Sequence, residues 1–154
     1  MKKVIKTETV LVVWNIINTA SYKKLDDADK IKLWKIARVL KPIATQFESD
    51  SKDAAEKLKP EGLDALLEKA KEYEAKKQKG DDELPMTEAE YNSFIREQWQ
   101  PFNKLVQQAI GEFADKEVEL DFDTLTEEAF GKLMASNDWS VDKAMTVGNF
   151  LLDV

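Results

Sequence analysis

Residues 118–127 read VELDFDTLTE, and the way this stretch is read decides the fold. Val118, Leu120 and Phe122 alternate with Glu119, Asp121 and Asp123, the period of a strand with one buried face. Thr124 or Thr126 then stands where a helix N-cap belongs, and Thr124 to Glu127 has the spacing of a capping box. A lone strand is not stable. The segment with matching character is KKVIK at residues 2–6. The expectation is a minor two-stranded sheet formed by the N-terminal segment and residues 117–122.

The same stretch has a catalytic reading. Asp121-x-Asp123 with Thr124 and Leu125 behind it is similar to the nucleophile segment of haloacid-dehalogenase-type phosphatases. The spacing fails, because that motif needs one residue between its second Asp and its Thr. Too little chain follows for the parallel α/β sheet that such chemistry uses. Glu119, Asp121 and Asp123 share a strand face and could gather a divalent cation. The Gly and later Glu of a calcium loop are missing, however. A solvated polar face accounts for all three.

Composition removes most other chemistry. The 154 residues contain no Cys and no His, which excludes thiol and Ser-His-Asp catalysis, disulfides and zinc fingers. Glycine-rich phosphate loops are absent too. The expectation is a protein that is not an enzyme. It has no catalytic, cofactor-binding or metal-binding residues, needs no cofactor and takes no small-molecule substrate. No segment is long and apolar enough to span a bilayer, so no membrane is expected. Glu8 and Asn15 argue against reading the N-terminus as a signal peptide. The expected location is cytoplasmic.

Working outward, helices dominate. Val10, Val13, Trp14 and Ile17 follow helical spacing, with Thr7 or Thr9 as the cap. Asp26 or Asp27 starts a helix reaching Lys59, with Leu33, Ile36, Ala37, Leu40, Ala44 and Phe47 on one stripe. Pro42 inside it predicts a kink or a break. Leu63, Leu66, Leu67, Ala70 and Tyr73 mark another helix, followed by the charged loop KKQKGDDELP. Thr87 and Glu90 form a capping box. The helix behind it carries Tyr91, Phe94, Ile95, Trp99, Phe102, Leu105, Val106, Ala109, Ile110 and Phe113 on one face, and Pro101 should bend or divide it. Two short helices close the chain. These elements predict a mostly α (α+β) single domain over 1–154: a long antiparallel helical hairpin with the minor sheet, and an exposed charged helical arm at about 48–86.

Charge is uneven. The net charge is −7, yet residues 1–41 carry ten Lys/Arg against four acids, and the rest carries thirteen against twenty-six. The total disfavours nucleic acid as a partner. On the wheel of the 27–41 stretch, Lys30, Lys32, Lys35, Arg38 and Lys41 lie away from the core stripe, with Ile31 and Trp34 among them. Lys30, Ile31, Trp34, Lys35, Arg38 and Lys41 are the candidate partner-binding residues, for a protein partner or self-association: an exposed Trp flanked by cations could stack a base, grip an acidic partner or form a subunit contact. The commoner arrangement is that Ile31 and Trp34 pack under another part of the chain, Lys stems covering them. The acidic remainder gives an alternative: an acidic inhibitor of a host defence or nucleic-acid-processing enzyme.

The order of elements also carries a resemblance. A short strand and helix, a Lys/Glu-rich helical hairpin with a polar tip, KEVELDFDTLTEEAF and a closing VDKAMTVGNFLLD follow one another. This pattern resembles a family of small, uncharacterised tailed-bacteriophage proteins. The resemblance implies a phage- or prophage-associated, non-enzymatic interaction protein acting in virion assembly or scaffolding. It implies a place in the bacterial host cytoplasm, with the virion as a second location. The family offers no catalytic residues to carry over.

Overall fold

Two alternating segments from opposite ends of the sequence find each other. In the computed structural model, which describes residues 1–153, β1 (Lys2–Lys6) and β2 (Glu117–Asp121) pair antiparallel. Lys2 lies opposite Asp121, Val4 opposite Glu119 and Lys6 opposite Glu117. The outward face thus sets Lys2 and Lys6, with Val4 between them, against carboxylates, and Lys2 lies 3.6 Å from Glu119 and Lys6 2.7 Å from Asp115. Such exposed pairs add little stability. Register comes from the other face, where Ile5, Val118 and Leu120 meet the core, and a one-residue slip would turn them to water. The remainder is helical, so the chain is mostly α with a minor two-stranded sheet.

The chain divides into two compact units, Met1–Ser49 with Phe113 onward, and Asp50–Glu112. In the first unit, α1 (Thr7–Thr19) follows β1 without a loop, and no side chain caps it. The expected Thr cap is replaced by a tie to the residue that precedes β2. The Thr7 hydroxyl and N–H both donate to the Lys116 carbonyl, at 2.7 and 2.9 Å. α2 (Asp27–Leu58) opens with the Asp26 carboxylate accepting from the Asp29 N–H at 2.9 Å. Of the expected kink or break at Pro42, the break does not occur, and the helix continues through the proline. Pro42 sits on the exposed side, so the Arg38 carbonyl that loses its helical donor faces water rather than core.

Leu33, Ile36 and Leu40 of α2 pack with Val10, Val13 and Ile17 of α1, Leu120 and Phe122, and the two closing helices, α6 (Glu127–Ala135) and α7 (Val141–Leu151). Thr126, not Thr124, caps α6 by accepting from the Ala129 N–H at 3.1 Å. The box at Thr124–Glu127 does not form because Leu125 is drawn into the core, its N–H donating to the Leu151 carbonyl at 2.8 Å. α7 lies so close to α6 that a Cβ on Gly148 would stand 3.1 Å from the Phe130 ring. The Lys3 ammonium closes the far end of α7, donating to the carbonyls of Phe150 at 2.8 Å, Leu152 at 2.9 Å and Asn149 at 3.3 Å. Burial there pulls its pKa below the ordinary lysine value, with Asp153 opposing.

The second unit begins near the expected charged arm but extends to Glu112 and has a core of its own. Leu63 and Ala70 of α3 (Leu63–Gln78) pack against Phe94 at the end of α4 (Glu88–Phe94) and against Phe102 and Val106 of α5 (Gln100–Asp115). Thr87 and Glu90 form their capping box. Between α4 and α5, Ile95–Trp99 make a π-helical turn, in which the Gln100 N–H reaches the Ile95 carbonyl. Pro101 is the reason. It has no N–H for the Glu97 carbonyl and would crowd that oxygen, and the wider turn relieves both. The extra residue also rotates the later face by ~100°. Val106 is buried as expected, whereas Leu105 is half exposed against the expectation of a continuous stripe.

Candidate partner-binding face

The face opposite the core stripe of α2 is open. Residues 30–47 contain five cations and no carboxylate. None of Lys30, Lys32, Lys35, Arg38 and Lys41 forms an ion pair among the described residues. Ile31 and Trp34 are 54% and 56% exposed. Among the described residues they are not packed under another part of the chain as the commoner arrangement would require, and the core side of α2 is filled by Leu33, Ile36 and Leu40. The Arg38 guanidinium sits 5.0 Å from the Trp34 ring centroid, a cation–π pair made along the helix surface. Lys35 and Lys41 are exposed and Lys30 is partly buried. Helical spacing therefore brings five of the six candidates onto one open face, with Lys30 at its border.

Beside this face lies a recess of about 260 Å³ lined by Lys32, Lys35 and Val39 of α2 and by Asp121, Phe122 and Asp123. Phe122 is held by a stacked Phe150 ring at 5.2 Å and by the Lys3 ammonium 5.8 Å from its centroid. Sequence reading placed Asp121 and Asp123 in water but did not connect them to α2. Val39 and Phe122 gave no local signal, because the recess joins segments remote in sequence. Glu119, Asp121 and Asp123 are exposed, with Lys2 3.6 Å from Glu119 and the Met1 ammonium 3.1 Å from Asp121.

A second polar cluster lies within the second unit. Tyr73 and Tyr91 stack at 4.6 Å, the Lys77 ammonium donates to the Tyr73 hydroxyl at 3.1 Å, and the Tyr91 hydroxyl donates to Glu74. The Glu74 carboxylate pushes the Tyr91 phenol up to about 12. A phenol locked this way is a poor proton donor near neutrality. No helix among the described residues is long and apolar enough to cross a membrane. No protein-family model matches the chain, and neither a curated protein nor a solved structure matches it.

Proposed function

We propose that this chain is a non-enzymatic interaction protein whose outer α2 face holds a protein partner or a further copy of itself. One observation carries the reading: an exposed tryptophan, held under an arginine, in the middle of an unpaired basic strip. Trp and Arg are the residues most enriched where interfaces concentrate their energy. Carboxylates elsewhere are interleaved with lysines in pairs such as Glu72–Lys76 and Glu128–Lys132, so the acidic surface makes a weaker case for an inhibitor. The resemblance to small phage proteins supports virion assembly or scaffolding in a bacterial host as the setting.

Light scattering over a concentration series, together with capture from a bacterial lysate, tests this. Association or capture should disappear in Trp34→Ala and persist in Leu105→Ser, a control at another exposed apolar residue. Association indifferent to Trp34→Ala would remove α2 from the reading.

A further inference from the structure

Resting on that reading, we infer that the α2 face receives an acidic amphipathic helix of a different protein, with one apolar side chain seated in the recess over Val39 and Phe122. Charge complementarity selects the occupant. Lys35, Arg38 and Lys41 recur at helical spacing along an exposed strip, and Ile31 to Lys41 covers ~15 Å at the helical rise, about three turns of a partner. A helix lying along that strip can present carboxylates to the cations at its own i, i+3 and i+4 positions. Its apolar side meets Ile31 and Trp34, which are exposed together one turn apart. The recess is bounded by cations on α2 and by Asp121 and Asp123 opposite, so it accepts an apolar group flanked by both a carboxylate and a donor.

Two other occupants fit less well. A two-fold pairing of α2 with α2 would set one basic strip against an identical one, a like-charge contact with no carboxylate in residues 30–47 to offset it. A nucleic-acid strand would carry its phosphates past Asp121 and Asp123, and Ile31 offers no ring for a base to stack on. A protein helix can keep its carboxylates over α2 and set an apolar group and a donor beside Asp121 and Asp123, which a strand with a phosphate at every nucleotide cannot do.

The test is an amide chemical-shift titration of the full chain with three probes. These are a helical peptide about four turns long with Glu on one face and Leu on the other, its Glu→Lys counterpart, and an oligothymidylate. The acidic peptide should shift amides of residues 30–42 and 121–123. Its affinity should fall several-fold as salt rises, drop about tenfold in Trp34→Ala, and drop further in Arg38→Glu. Both substitutions lie at exposed positions, and retained spectral dispersion will show that they fold. Shifts of the same amides by the oligothymidylate or the Lys peptide but not by the acidic peptide would overturn the partner class while leaving the face intact. A mass doubling on concentration that Trp34→Ala abolishes, with the acidic peptide inert, would do the same in favour of self-association. Shifts confined to other parts of the chain would overturn both the inference and the reading beneath it.

Discussion

The guanidinium of Arg38 lies 5.0 Å from the centre of the Trp34 ring, one turn along the exposed side of α2. The contact is made in water, so its worth to the fold is small. Trp34→Ala and Arg38→Ala should each lower stability by no more than about 1 kcal/mol in urea unfolding. Leu40→Ala, two residues on but fully buried, should cost about 2–5 kcal/mol. If Trp34→Ala costs as much as Leu40→Ala, the ring is part of the core and the binding face is lost.

Lys3 is the reverse case, a charged side chain whose main task is structural. Three carbonyls at the end of α7 depend on its ammonium. Lys3→Met keeps the stem and removes the donors, and it should lower stability by about 1–3 kcal/mol. Hydrogen exchange should quicken first in the last turn of α7. Protection unchanged there would mean that water replaces the ammonium at no cost.

Gly148 sets how closely α7 approaches α6. Gly148→Ala should destabilise by about 1–3 kcal/mol, since its methyl would stand 3.1 Å from the Phe130 ring. Adding Phe130→Leu should recover part of the loss. Two penalties that simply add would show that the ring is not what the methyl meets.

Tyr91 gives a prediction with pH. Its folded pKa of about 12 lies above the ordinary value of 10.0 because its hydroxyl donates a hydrogen bond to the Glu74 carboxylate, which favours the protonated phenol. Whatever the pair contributes is present in full below pH 10.0 and is lost as pH rises toward 12. In an ultraviolet titration, Glu74→Gln should lower the last tyrosine step to ionise. A last step that stays in place would assign it to another phenol, such as Tyr22, which burial also raises.

What the sequence made legible follows from periodicity. The pairing of residues 2–6 with 117–121 could be read because alternation is local and each strand had one matching mate. Helical wheels placed Leu33, Ile36 and Leu40 inside and Arg38 and Lys41 outside for the same reason. Cap choice was less legible, since Thr124 and Thr126 both suit the role and only the burial of Leu125 separates them. The π turn was hidden altogether. A proline announces a fault in a helix, but whether the chain breaks, bends or inserts a residue depends on what packs around it. Leu105 was therefore placed on the wrong side. The exposure of Trp34 was equally beyond a wheel, which shows which side a residue faces and not whether something else covers it.

The antiparallel pairing of β1 with β2 also constrains the order in which the chain folds. Residues 2–6 leave the ribosome well before residues 117–121 and have no strand to join until those emerge, and closing so long a loop carries a large entropic cost. The unit at Asp50–Glu112 draws on contacts closer in sequence, so it gains structure while the strand at the start of the chain still waits. A nascent chain stalled before residue 117 therefore exposes Val10, Val13 and Ile17, whose core partners include Leu120, Phe130 and Leu151.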